Sequence, residues 1–173
     1  MREVVEEARR GRADAFEMLV EHFGPEMYRL ASGIVGPDDA RDVAQEAFIT
    51  AWRDMPRLRD VDRFAPWLRR IVVSRGRNQL RSRKRRPTAS LEVPEARSLA
   101  SGRDFRDAVH ARQALDGAFA RLSADQRAVL ALHYAGDLSI REAAEAMDVS
   151  VGTAKSRLNS ALAGLRRAME AQR

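Results

Sequence analysis

The apolar positions of the chain recur at steps of three and four. Leu19, Phe23, Met27, Leu30, Ala31 and Ile34 follow this rhythm, which predicts a helical stretch broken at Gly24-Pro25 and ended by Gly36-Pro37. A second helix is expected from a cap at Asp38 or Asp39 to Pro56, with Val43, Ala44, Ala47, Phe48, Ala51 and Met55 on its core-facing stripe. Pro66 suits the first turn of a third helix carrying Trp67, Leu68, Ile71, Val72 and Leu80. No stretch alternates with the two-residue period of a strand, so the pattern predicts an all-α chain.

The rhythm stops at residues 84–104, KRRPTASLEVPEARSLASGRD, where two prolines and scattered Ser and Ala mark a flexible linker. The expected organisation is a helical domain at 12–86, a linker at 87–104 and a second helical domain at 105–170. In the second domain Ser123 with Gln126 and Ser139 with Glu142 form S-x-x-E/Q capping boxes, and Ser150 caps a last helix. The predicted helices are 124–135, 139–147 and 151–169.

The last two of these form a helix-turn-helix. Ala143, Ala144 and Ala154 are small enough for two backbones to cross closely. Thr153, Lys155, Ser156, Arg157, Asn159 and Ser160 are left facing outward near the start of the second helix, where free N–H groups favour phosphate and side chains reach base edges. Lys155, Ser156 and Asn159 are expected to read bases, and Arg141, Thr153 and Arg157 to grip phosphates.

Charge sharpens this picture. The chain carries 31 Lys plus Arg against 25 Asp plus Glu, a formal net charge of +6, which favours a polyanionic partner. Its distribution is uneven: residues 1–68 hold 10 basic and 14 acidic side chains (10 − 14 = −4), whereas residues 69–86 hold nine basic and no acidic ones. Such a division predicts two partners of opposite electrostatic demand. The absence of cysteine excludes disulfides and thiolate chemistry. His22, His110 and His133 are dispersed, with no HExxH spacing, P-loop or GxSxG, so neither catalysis, a metal nor a cofactor is expected. No run is long and apolar enough to span a membrane and the N-terminus lacks a signal-peptide core, so the expected location is the cytoplasm.

On the helix beginning near Asp39, a second stripe of Asp42, Gln45, Glu46, Ile49 and Arg53 runs beside the core stripe. The segment DARDVAQEAFITAWR resembles region 2.2 of bacterial sigma factors, and RLSADQRAVLALHYAGDLSIREAAEAMDVSVGTAKSRL resembles their region 4. The likeness spans about residues 13 to 169 and, lacking regions 1.1 and 3, is to the short extracytoplasmic-function (group 4) class. It implies a protein that joins RNA polymerase core, through the clamp helices of the largest subunit and the flap, and brings it to promoter DNA. Asp39, Asp42, Gln45, Glu46 and Ile49 would then face the clamp.

The same resemblance implies −10 contacts from Phe64, Trp67, Arg70, Ser74, Arg75, Arg77, Asn78 and Arg81, with Arg69 in the same basic run. Phe64 would capture a flipped base and Trp67 would stack at the edge of the melted element. An anti-sigma factor commonly restrains such proteins. The chain departs from the family pattern at Ser74, where Asn is usual, and at Asn159-Ser160, so base preferences are not carried over. The competing class is a self-sufficient helix-turn-helix regulator, which would leave the acidic and basic helices of the first domain unexplained.

Overall fold

The computed structural model describes residues 1–85 and 117–170; side chains are described as far as Arg83 in the first segment. All regular structure among these residues is helical. The first unit comprises α1 (Arg2–Arg9), α2 (Ala13–Val35), α3 (Pro37–Asp54) and α4 (Phe64–Arg85), with two short 3-10 turns at Met55–Arg57 and Val61–Arg63 between α3 and α4. The second comprises α5 (Ala124–Leu130), continued by a π-helical turn at Ala131–Ala135, then α6 (Ile140–Met147) and α7 (Val151–Glu170), preceded by a helical stretch at 117–121. The predicted linker at 87–104 lies outside the described residues.

Three features differ from the sequence pattern. Helix α1 was not foreseen, yet Val5 and Ala8 are buried in the core. Gly24-Pro25 does not interrupt α2. Proline removes one backbone N–H bond at a cost of about 3 kcal/mol, but Pro25 is exposed, on the side of the helix where a carbonyl without an intrahelical partner is least costly. Leu19 on one side and Met27 and Leu30 on the other are at most 1% exposed in the same core. Each such burial contributes about 1.5–3 kcal/mol, enough to hold the helix through the proline. Helix α3 is capped neither by Asp38 nor by Asp39: Pro37 occupies its first turn, and Gly36 precedes it at φ +93°, a conformation that glycine adopts without strain.

Within the first unit α2, α3 and α4 pack on one another around Ile34, Ala47, Ala51, Phe64, Leu68 and Val72. In the second, the Ser123 and Ser139 capping boxes are both formed, and Ser150 Oγ accepts from Thr153 N at 3.1 Å. Ala143, Ala144 and Ala154 are at most 2% exposed, so α6 and α7 cross at close range as the small residues predict. The turn between them passes through Asp148 in the left-handed region (φ 56°), a conformation that Asp tolerates better than most residues. His133, in the middle of the π turn, is a structural residue: its Nδ1 lies 2.7 Å from the Leu138 carbonyl.

The two units share one apolar core. Helix α4 lies against α5 and α6, and α2 against the π turn. Gly33 makes the latter approach possible, because a Cβ there would lie 2.7 Å from that of Ala131. Arg127 reaches across to the C-terminal end of α2, donating to the Ile34 carbonyl at 3.4 Å. Its half-buried guanidinium has a lowered pKa because burial penalises the charge.

Candidate nucleic-acid and partner interfaces

Helix α3 turns its polar stripe outward. Asp42, Gln45, Glu46 and Ile49 are all exposed, Ile49 at 59%. An exposed isoleucine amid carboxylates suits a partner surface more than a solvated face. Trp52, one turn further on and 38% exposed, extends this apolar strip. Its ring packs at a tilt of 55° against Phe16 of α2, with 4.9 Å between ring centroids, and a groove of about 320 Å³ runs over Phe16, Gln45, Phe48, Ile49 and Trp52. Trp52 and Phe16 were missed in the sequence, although the i, i+3 spacing from Ile49 to Trp52 was a visible signal. Asp39 does not belong to this surface. Its side chain is only 15% exposed and it pairs with Arg83 of α4 at 2.5 Å, so the expected clamp contact at Asp39 is corrected to an internal tie.

Helix α4 brings most of the expected −10 residues together. Thr50, Trp67, Arg70, Ile71, Ser74, Arg75 and Asn78 line a depression of about 530 Å³. Among these residues Trp67 and Ile71 are half-buried, and Ser74 and Asn78 are exposed to solvent. Arg75 is aimed by two groups on α3, donating to Thr50 Oγ1 at 2.7 Å with Glu46 at 3.8 Å. A flat ring beside hydrogen-bonding groups and a fixed cation is what an unpaired base with its phosphate needs.

Two expectations on α4 are corrected. Phe64 is 2% exposed and packs between Phe23 (5.3 Å) and Trp67 (5.9 Å); it offers no stacking face and anchors the start of the helix. Arg69 turns to the other side and pairs with Glu26 of α2 at 2.6 Å, both side chains about one-fifth exposed. The remaining arginines point at the second unit. Arg70 pairs with Asp148 at 2.8 Å, Arg77 Nε lies 2.6 Å from Asp125 Oδ1, and Arg81 lies 3.7 Å from the same oxygen. The Arg77–Asp125 contact is an ion pair whose N–H is not aligned as a hydrogen bond.

On α7 the outward face matches the sequence pattern. Thr153, Lys155, Ser156, Asn159 and Ser160 are exposed, as is Arg141 on α6. Thr153 also shares a 2.9 Å hydroxyl contact with Ser150, which ties it to the cap. Arg157 is the exception: it is only 27% exposed and pairs with Asp125 at 3.0 Å. Among the described residues no cluster of His, Cys, Asp and Glu could hold a metal, and no helix is long and apolar enough to cross a membrane.

An acidic and apolar face, a basic helix with an aromatic-lined depression and a helix-turn-helix, in that order, define a promoter-directed transcription protein of two helical parts. The Sigma-70 region 2 family matches residues 19–86 and the Sigma-70 region 4 family matches residues 112–165. Over 165 residues the chain is 33% identical to the ECF RNA polymerase sigma-E factor of Escherichia coli K12, covering 90% of this chain and 86% of that protein. The corresponding figures for the sigma-E factor of Haemophilus influenzae are 30%, 90% and 87%.

Two solved structures share the fold at 24% identity. CnrH in complex with the cytosolic domain of CnrY has a TM-score of 0.67 over 99% of this chain and 98% of that one. The sigma factor RpoE in complex with the anti-sigma factor NepR from Bartonella quintana has a TM-score of 0.65 over 91% and 98%. The chain belongs to the sigma-70 family, in its extracytoplasmic-function class. It is an alternative sigma factor that directs RNA polymerase core to promoter DNA, and the self-sufficient regulator reading is set aside.

Proposed function

We propose that this sigma factor divides its work among three surfaces. The exposed Asp42, Gln45, Glu46, Ile49 and Trp52 strip of α3 docks on the polymerase clamp helices, joining opposite charges around an apolar centre. The α4 depression receives an unpaired base of the −10 element against Trp67, with Ser74 and Asn78 within reach of its edge and Arg75 and Arg70 beside its phosphates. Helix α7 enters the −35 major groove, Lys155, Ser156 and Asn159 reading bases while Arg141, Thr153 and Arg157 hold the backbone.

The chain itself performs no catalysis in this reading; RNA synthesis belongs to the polymerase it joins. It acts in the cytoplasm, on the nucleoid when in holoenzyme, and an anti-sigma factor restrains it, as in the Bartonella complex of similar fold. Residues 12–86 would form the core- and −10-binding domain, 87–104 the connection, and 105–170 the −35-binding domain. The observation that carries the proposal is the α4 depression, which gathers the Trp67 side chain, hydrogen-bonding groups and an α3-oriented arginine around one open space.

The test is transcription from a randomised promoter library by core polymerase with and without the chain. Selection of promoters with two conserved elements only when both are present is the expected result. Specific binding of one such element by the chain alone, unaffected by core, would overturn it.

A further inference from the structure

Thr50 stands on α3, one turn after Glu46, and lines the depression on α4 assigned to the −10 element. Its hydroxyl makes two contacts. It donates to the Glu46 carbonyl at 2.8 Å and accepts from Arg75 Nη2 of α4 at 2.7 Å. A hydroxyl has one hydrogen, and here the backbone of its own helix takes it. The oxygen therefore turns a lone pair to α4, where it can hold a cation but cannot donate to a nucleotide. A local bond within α3 thus fixes the aim of a side chain 25 residues away.

The chemistry of this anchor matters as much as its place. Glu46 also approaches Arg75, at 3.8 Å, but its side chain is 61% exposed and water screens the pair. Asp54, a turn beyond Thr50, is engaged by Arg53 at 3.3 Å and Arg57 at 3.8 Å. A carboxylate close against Arg75 would offset the charge that draws a phosphate. A hydroxyl holds the guanidinium and leaves that charge whole, and it occupies one of five N–H donors. The Arg75 side chain is 39% exposed, so a nucleotide can reach it. Glu46 is also in the strip proposed for the polymerase clamp, and Thr50 is the anchor that stays when polymerase takes that carboxylate.

We propose that Thr50 is a positioning residue of the −10 site: its hydroxyl holds Arg75 at the depression, ready for the backbone of the unpaired strand. The proposal rests on the reading of that depression as the −10 site. A long unanchored side chain spreads over many rotamers, and its apparent hold on phosphate falls with the fraction correctly placed. Thr50 raises that fraction without touching DNA. It sets how firmly the strand is held, not which base is preferred.

The test uses holoenzyme assembled from core polymerase and the full-length chain as parent, Thr50→Val, Thr50→Ala, Thr50→Ser, Arg75→Ala, or Thr50→Val with Arg75→Ala. Circular dichroism and capture of core are measured for each, and promoter binding is compared at equal amounts of assembled holoenzyme. Filter binding across a salt series gives affinity and salt slope. Thr50→Val keeps the branched shape, Thr50→Ala favours the helix, and both remove the hydroxyl. Each should weaken binding about three- to tenfold and lower the slope by no more than the roughly 0.7–0.9 of one phosphate. Thr50→Ser keeps the hydroxyl and should bind as the parent does. With Arg75→Ala already in place, Thr50→Val should cost nothing further.

Parent-like binding by Thr50→Val and Thr50→Ala, beside weakened binding by Arg75→Ala, would overturn the positioning role. So would an equal loss from Thr50→Val with and without Arg75, or a loss in Thr50→Ser as large as in Thr50→Val, since the hydroxyl would then not act through Arg75. Parent-like affinity and slope in Arg75→Ala would instead overturn the place of Arg75 in the −10 site, and the proposal with it.

Discussion

Phe64 and Trp67 lie one turn apart at the start of α4, and burial gives them different work. Phe64 is enclosed at 2% exposure, so Phe64→Ala should cost about 3–5 kcal/mol of folding stability, read from the urea midpoint. Trp67 is half-buried and borders the depression. Trp67→Ala should lose less stability but impair promoter opening, seen as weaker permanganate reactivity of −10 thymines in holoenzyme. Equal opening by Trp67→Ala and parent would remove the ring from the −10 site. On α7, Lys155→Ala or Asn159→Ala should alter preference at one −35 position, costing about 1–3 kcal/mol for the favoured base, whereas Arg141→Ala should weaken all sequences alike. Selection from a −35 library decides between these outcomes, and a position-specific effect of Arg141→Ala would contradict the division.

At the scale of elements, α3 separates its two stripes cleanly: Val43, Ala47 and Ala51 are at most 3% exposed while Asp42 and Glu46 face solvent. Asp42→Lys with Glu46→Lys should leave stability within about 0.5 kcal/mol and yet sharply reduce capture of core polymerase, since like charges across an interface cost several kcal/mol. Undiminished capture by the double variant would place the clamp contact elsewhere. Helix α6 offers a pH test. The Ser139 hydroxyl, and then its backbone N–H, donate to Glu142 and lower its carboxyl pKa below the ordinary glutamate value. A folded pKa below the unfolded one contributes stability above the unfolded value and loses it as pH falls through the folded value. Carboxyl NMR should show Glu142 titrating below free glutamate, and Ser139→Ala should raise it. An ordinary titration in the parent would mean the capping box does not hold its proton off.

For the whole molecule, the arrangement of charge matters more than its total. In holoenzyme each α4 arginine that neutralises a phosphate should add about 0.7–0.9 to the salt slope of promoter binding. Arg75→Ala with Arg81→Ala should therefore lower that slope by about 1.4–1.8, measured by filter binding across a salt series. An unchanged slope would mean that neither guanidinium meets the DNA backbone.

Helix periodicity, capping serines and the two family motifs were local signals, and local signals determined the all-α class, the helix-turn-helix and the sigma-factor reading from sequence alone. The exposed α3 stripe was legible for the same reason, since one helix sets which of its side chains share a face. What failed were inferences that depended on a distant neighbour. Pro25 breaks no helix because Leu19 and Leu30 are held in a core built partly by α3 and α4. Phe64 is enclosed by Phe23, 41 residues earlier (64 − 23 = 41), and Asp39 is claimed by Arg83, 44 residues later. The gathering of Arg77, Arg81 and Arg157 on Asp125 spans both units and follows no spacing in the chain. Only tertiary structure could decide such pairings, because a long side chain's partner is whichever opposite charge folding brings within a few ångströms, and helix period carries no information about that.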